Sequence, residues 1–277
     1  RWVSLFSAKS PKRGGRHMSL LILQPEQKKF FNDNGYLLLK GFYSPEEMQE
    51  MRRQFHSLVT DTDSQPKNVK YSFMDAPSGY APDDFNPRNV AGMMDQTLAG
   101  DYWFDQFTEP RIVSVMVDLL GRNLNFHNGK IRNKPPGFAC DQSWHQDWPY
   151  ERHSKPELAA AITYLDATDF EAGATEALPG SHLKGEYPTL KKSHTIPDEH
   201  IPDDEHIVLA AEPGDVAIIH VLVVHRAGHN YTRLGRNAII NEYKTAEAID
   251  HWGNPCAFAG LPLARNGQLL MPRIHQG

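Results

Sequence analysis

Cysteine is nearly absent from this chain: Cys140 and Cys256 are the only two in 277 residues. Two thiols cannot build a disulfide scaffold, and they exclude a thiolate zinc or iron–sulfur centre. Long apolar runs are missing too; none approaches the ~20 residues of a membrane helix. Basic tracts are missing from the body of the chain. Its 29 Lys and Arg are outnumbered by 34 Asp and Glu, for a formal charge of −5. That balance speaks against a nucleic-acid partner. No internal repeat, heptad pattern or low-complexity segment is visible. What is present is an ordinary globular composition, 40% hydrophobic and 23% charged, on a chain long enough to bury a core without staples.

Charge is unevenly spread. Residues 1–17 hold Arg1, Lys9, Lys12, Arg13 and Arg16 and no acid, so residues 18–277 carry −10. We read 1–17 as a tag or upstream remnant preceding Met18, with an organellar presequence as the alternative. Residues 18–277 are expected to form one domain. The location expected from this reading is cytoplasmic, and the oligomeric state is left open.

Residues 25–34 are expected to form a short helix, opened by Pro25 and closed by Gly35. Tyr36 to Lys40 reads as a strand. Ser44-Pro45-Glu46-Glu47 is a capping box, and Met48, Met51, Phe55 and Leu58 follow at helical spacing. Residues 61–108 are polar, with scattered aromatics (Tyr71, Phe73, Tyr80, Phe85), and read as a functional lid. Residues 109–120 read as an amphipathic helix stopped by Gly121. Beyond it, β-type runs recur at 124–132, 143–148, 158–166, 174–178, 207–210, 215–224 and 236–243. Pro135-Pro136-Gly137, Pro179-Gly180 and Pro213-Gly214-Asp215 punctuate them. Short strands without alternating helices predict a mainly β protein, an antiparallel sandwich or jelly roll with N-terminal helices packed on it.

Fourteen histidines and 34 acids make roughly two His-x-Asp/Glu triplets expected by chance. The chain has one, His145-Gln146-Asp147, so the setting must carry it. Trp144 to Trp148 reads as strand, where residues i and i+2 share a face. His145 and Asp147 can then offer one nitrogen and one oxygen to a single metal. A second histidine would complete a 2-His-1-carboxylate face, the ligand set of non-heme Fe(II) oxygenases. Gly214-Asp215 launches an apolar run that ends at His225. Eleven residues on, Arg236 opens the next run; facing a metal cavity, it would grip a carboxylate through two parallel hydrogen bonds. By strict alternation His220 falls on the face opposite His225. His127 is read as outward-facing, His229 as exposed and His182 as packed in a turn.

With these residues in view, the sequence resembles the phytanoyl-CoA dioxygenase family of Fe(II)/2-oxoglutarate oxygenases, from about residue 25 to 245. The resemblance rests on Asn34-Gly35-Tyr36, Lys134-Pro135-Pro136-Gly137, Trp144 to Trp148, Leu165-Asp166 leading to Gly173, and Leu178-Pro179-Gly180-Ser181-His182. Gly214-Asp215, His225, Gly228, Asn230 and Arg236 complete it. It implies a double-stranded β-helix with the metal in one open end. It implies that His145, Asp147 and His225 bind Fe(II), and that Arg236 binds the distal carboxylate of 2-oxoglutarate.

On the strand Phe126 to Arg132, Asn128, Lys130 and Arg132 share one face where the family lines its co-substrate pocket. Asn128 is expected to hydrogen-bond 2-oxoglutarate, with charge added by Lys130 or Arg132. Trp148, Tyr150, Tyr71 and Phe73 are candidate substrate contacts. Two positions depart from the family pattern: Ala227 replaces a frequent Ser that helps bind 2-oxoglutarate, and Ile162 replaces a frequent aromatic. A carboxylate at 147 argues for hydroxylation rather than halogenation. The implied reaction consumes O₂ and 2-oxoglutarate, oxidises a C–H bond of a small molecule, and releases succinate and CO₂. Two alternatives stand beside it: a cupin-type metal enzyme without 2-oxoglutarate, and a catalytically retired small-molecule binding protein.

Overall fold

A computed structural model describes residues 20–73, 90–134 and 142–273, apart from 192, 203, 204, 252, 254 and 255. The segment 1–17 and the turn Pro135-Pro136-Gly137 lie outside the described residues, as do Tyr80 and Phe85.

Helix α1 (Pro25–Asn34) starts on Pro25 and ends at Gly35, whose φ of 78° is left-handed. A Cβ at Gly35 would also lie 2.4 Å from Val223 Cγ2, so glycine is required both to turn the chain and to fit there. Strand β1 (Tyr36–Leu39) follows directly. Helix α2 (Pro45–Thr60) carries the expected capping box, with Ser44 and Glu47 bonding reciprocally, and buries Met48, Met51, Phe55 and Leu58.

The described parts of 61–108 include regular elements. They hold β2 (Lys70–Phe73), β3 (Val90–Met94) and α3 (Asp101–Phe107), and β3 pairs with the next strand to widen the main sheet. The weak periodicity of these parts has a physical cause: strands toward a sheet edge show only part of one face to the core, so few apolar positions are needed.

Helix α4 (Pro110–Leu120) precedes the strands β4 (Leu124–Lys134), β5 (Gln142–His145), β6 (Leu158–Tyr164), β7 (Thr175–Ala177), β8 (Ile207–Val208), β9 (Val216–His220), β10 (His225–Ala227), β11 (Arg236–Thr245), β12 (Pro262–Arg265) and β13 (Gln268–Leu269). They form a nine-stranded sheet, ordered β1-β9-β6-β11-β4-β12-β13 with β3 and β2 branching from β4, and a four-stranded sheet ordered β5-β10-β7-β8. All the strand pairs are antiparallel.

Alternation sorts the large sheet into two faces. Ala159, Ala161, Ile218, Ile239 and Tyr243 join the helices in one apolar cluster. Ala160, Ile162, Ala217, Ile219 and Ala238 form a second cluster on the other face. Both faces of β6 are therefore covered, and all seven of its residues are buried. The helices cover one face and the small sheet covers the other, which makes the jelly roll.

The start of the described chain is held by Asp118 on α4. Its carboxylate accepts from the backbone N–H groups of Leu21, Ile22 and Leu23 at 2.7, 2.9 and 2.9 Å, and it is 4% exposed. Asp118→Ala strands these donors, and the expected loss is about 2–4 kcal/mol. Urea unfolding followed by circular dichroism measures it; an unchanged midpoint would show that the N-terminal segment is not anchored here.

Candidate active site

Between the two sheets lies a cavity of about 760 Å³ including its mouth. The large sheet contributes Lys130, Arg132, Lys134, Ala160, Ile162, Ile219, Arg236, Ile240 and Glu242; the small sheet and its turn contribute Gln142, His145, Asp147, Thr175, His225 and Ala227.

His145 and His225 stand directly across from each other on β5 and β10, with ring centroids 4.2 Å apart. Asp147 lies between them, Oδ1 at 3.7 Å from His145 Nε2 and Oδ2 at 3.8 Å from His225 Nε2. All three ligand atoms fall within 4.8 Å of one another. The three predicted ligands converge, but not by the route expected. Strand β5 ends at His145 and Asp147 opens the following turn, with its backbone carbonyl accepting from Tyr150 and Glu151 N–H. His225 does not end the apolar run: β9 stops at His220, the chain crosses over, and His225 begins β10 in the other sheet. His220 is thus separated from the site by a change of sheet; it packs near His182 and Phe31.

Backbone carbonyls fix both imidazoles. Nδ1–H of His145 donates to Ser143 O at 2.8 Å, and that of His225 to Val223 O at 3.0 Å. With Nδ1 engaged, each ring turns Nε2 toward Asp147, the atom that a metal would take, and Nε2 of His145 also meets the Gln142 side-chain amide at 2.8 Å. Burial pushes the His225 imidazole down to about 4, with His145 adding to the effect. For Asp147, burial acts upward, but His225, His145 and Lys130 outweigh it and hold the carboxyl well below its ordinary range. Near neutral pH His225 is therefore a neutral imidazole and Asp147 an anion; with the imidazole of His145 they make a donor set that fits a divalent iron.

Burial also depresses His220 to about 4. Both histidines fold neutral, so their contribution to stability is complete above pH ~6.5 and falls away as pH drops toward 4. For the metal-free protein, denaturant midpoints should be level from pH 8 to 7 and fall between pH 6.5 and 4. His220→Gln should remove part of that fall; an identical slope in the variant would show that His220 is not buried neutral.

Two residues escaped the sequence reading. Gln146, 1% exposed, donates to Leu222 O and Gly185 O at 2.7 and 2.8 Å and accepts from Tyr187 N–H at 2.9 Å, pinning the link between His145 and Asp147. Thr175 sits directly across from Ala227 and accepts from the Tyr164 hydroxyl at 3.1 Å. Thr175 also lines the cavity. A buried glutamine between two ligands and a threonine in register with Ala227 become recognisable only once the strands are paired.

Arg236 lines the cavity at 4% exposure and donates from Nη2 to Gly173 O at 2.7 Å. Lys130 and Arg132 line it too. Lys130 pairs with Glu242, and although burial acts to lower the ammonium's pKa, Glu242 and Asp147 raise it overall. Glu242 itself is pushed up to about 7, chiefly by burial.

Asn128 is on the same face but deeper and outside the lining; its amide donates to Glu242 at 2.9 Å and Glu151 at 3.2 Å. His127, expected outward, is instead 1% exposed and hydrogen-bonded to Glu151 at 2.5 Å. The bonding need of its imidazole is met there, so burial is tolerated. Trp148 packs on Leu158, Val221, Leu222 and Ala248. Tyr150 is 50% exposed with its ring 6.3 Å from that of His145. Tyr71 bonds Leu58 O and stacks on Phe73. Among the described residues, these four aromatics are not part of the cavity lining.

The family model for phytanoyl-CoA dioxygenase (PhyH) matches residues 31–238, which hold the facing histidines, Asp147 and Arg236. The chain belongs to the phytanoyl-CoA dioxygenase family. Among curated family relatives, the probable alpha-ketoglutarate-dependent hypophosphite dioxygenase of Stutzerimonas stutzeri is 27% identical over 238 residues, covering 80% of this chain and 79% of its own. The peroxisomal phytanoyl-CoA dioxygenase of Rattus norvegicus is 28% identical over 241 residues, covering 82% and 70%. Of solved structures, apo EctD from S. alaskensis superposes with a TM-score of 0.70 at 15% identity, covering 90% of this chain and 86% of its own. The carbocyclase SnoK from nogalamycin biosynthesis gives 0.68 at 19%, covering 84% and 88%. These two likenesses concern the fold of this family member. Among its described residues, no helix is long and apolar enough to cross a membrane.

Proposed function

We propose that this chain is a non-heme Fe(II)- and 2-oxoglutarate-dependent dioxygenase that hydroxylates a C–H bond of a small molecule and releases succinate and CO₂. The observation that carries this reading is the facing pair of imidazoles with Asp147 between them, in one cavity with the buried Arg236. A cupin-type enzyme without 2-oxoglutarate has no use for that arginine.

His145, Asp147 and His225 would hold the iron. Arg236 would hold the distal carboxylate of 2-oxoglutarate, joined by the Thr175 hydroxyl, which takes over from the residue missing at Ala227. When bound, the iron supplies the redox chemistry that couples O₂ and 2-oxoglutarate decarboxylation to oxidation of the substrate. The protein's part is placement. Ser143 O and Val223 O keep both Nε2 atoms aimed into the cavity. Gln146 fixes the turn that carries the carboxylate, and Ala160, Ile162 and Ile219 supply an apolar wall that keeps water out.

Purified protein supplied with Fe(II), O₂ and 2-oxoglutarate alone should release succinate slowly and continuously, because an empty substrate site leaves decarboxylation uncoupled. Adding substrate should accelerate release and yield a product heavier by one oxygen. No succinate from iron-loaded protein, with or without a metabolite extract, would favour a retired binding fold.

A further inference from the structure

The cavity carries more positive charge than iron and 2-oxoglutarate chemistry requires. Strand β4 sends Lys130, Arg132 and Lys134 to the same wall at two-residue steps, and β11 adds Arg236 opposite Lys134. Among the described residues, two carboxylates, Asp147 and Glu242, line the same space. The charges can be assigned in turn. Lys130 is matched by Glu242. Asp147 and the two carboxylates of 2-oxoglutarate would balance a bound divalent metal and Arg236. Lys134 donates to Gly228 O at 2.5 Å. Arg132 is left over: among the described residues its guanidinium has no ion-pair or hydrogen-bond partner.

Its setting is shaped for the guanidinium. Arg132 stands directly across from Gly92 on β3, and a Cβ there would come within 2.7 Å of its Nη1. Arg132 is half-buried, whereas Arg236 is 4% exposed. The deep cation suits the co-substrate, and the shallower one suits a ligand that enters afterwards. Arg132 also presses electrostatically on Lys130, a repulsion that an anion between them would relieve. A hydrocarbon chain laid on this wall would desolvate charged groups without pairing them.

Resting on the oxygenase reading above, we propose that the substrate is a small oxyanion, a carboxylate or a phosphorus oxyanion, gripped by Arg132 on the β4 wall. A planar guanidinium binds either group through paired hydrogen bonds.

The test uses the full chain loaded with Fe(II) and 2-oxoglutarate. A small-molecule metabolite extract is split on a strong anion exchanger, and both fractions are assayed for succinate release above the substrate-free rate. Two defined arms run beside it: straight-chain carboxylates from acetate to hexanoate, and alkylphosphonates from methyl to butyl. The matching primary amides and alcohols serve as neutral controls. We expect stimulation from the retained anionic fraction and none from the flow-through, with the two arms separating carboxylate from phosphorus recognition. Arg132→Gln should raise the half-saturating concentration of the stimulating anions at least about tenfold, and Arg132→Lys should restore part of it. The dissociation constant of 2-oxoglutarate, titrated anaerobically by calorimetry into the Fe(II)-loaded protein, should move less than about threefold in Arg132→Gln. Stimulation by the neutral fraction, or by neither, overturns the proposal. So does an Arg132→Gln variant that loses 2-oxoglutarate as strongly as Arg236→Ala, since that assigns Arg132 to the co-substrate. Succinate release by wild type without any addition belongs to the oxygenase reading alone. Its presence beside an inert anionic fraction sinks only the oxyanion, whereas its absence together with inert fractions of both kinds sinks the oxygenase.

Discussion

Asp147→Ala is expected to bind almost no iron and to lose both substrate-free and substrate-driven succinate release. The carboxylate supplies one of three donor atoms and also offsets half the charge of the metal. Its oxygens lie 3.7 and 3.8 Å from the two imidazole nitrogens, so neither histidine can take over its position. His225→Ala should fail in the same way, from about one iron per chain to a trace, since two remaining donors make a weak chelate. His220→Ala is the control: it lies beyond the crossover between sheets and should retain its iron. Metal analysis after anaerobic loading and desalting reads the result, and circular dichroism checks that each variant is folded. Iron retained by Asp147→Ala at wild-type level would remove the assignment of the site.

The second large effect is expected at Arg236. Truncating a buried guanidinium that pairs with a carboxylate costs on the order of 2–5 kcal/mol, or roughly thirty- to several-thousand-fold in affinity. Arg236→Ala should therefore raise the 2-oxoglutarate requirement by that factor while iron binding stays near wild type. Arg236→Lys should recover only part, because an ammonium cannot reproduce the fork. Thr175 gives an internal control. Thr175→Val should weaken 2-oxoglutarate binding by a smaller factor, about tenfold for one hydrogen bond to a charged group. Ala227→Ser, across the strand pair, should restore it in the double variant. Overlaid anaerobic titrations of wild type and Arg236→Ala would place the co-substrate elsewhere.

How much of this was legible beforehand depended on the range of the interaction. Pro25, Gly35 and the Ser44 capping box act within one helical turn, and α1 and α2 begin and end where those residues direct. The alternating β runs announced an antiparallel sandwich because each strand buries its own face. The site was legible as a set of residues but not as a construction. Period-two alternation predicts that His145 and Asp147 converge along one strand, yet the strand stops at His145 and a turn, pinned by Gln146, brings the carboxylate round. The apolar run predicts a strand ending at His225, which instead opens a strand in the other sheet, because Val221 to Val224 form the crossover. Buried polar pairings such as His127 with Glu151, and Asn128 with Glu242, were hidden for the same reason. Their partners are 24 and 114 residues away, and nothing local marks them. In the described parts of 61–108, composition hides two strands and a short helix, since such elements at a sheet edge need few apolar positions.

The division of the cavity between two sheets bears on how such a protein can diverge. Every proposed metal donor hangs from the small sheet and its turn, whereas the charged wall of Lys130, Arg132 and Lys134 belongs to one strand of the large sheet. Mutations that recolour this wall need not shift the backbone carbonyls that aim the imidazoles. A lineage can therefore trade one ligand chemistry for another through a few alternate positions of a single strand while the reactive centre is inherited unchanged. On this scaffold, selection for a new substrate would be expected to leave its marks at 130, 132 and 134 first.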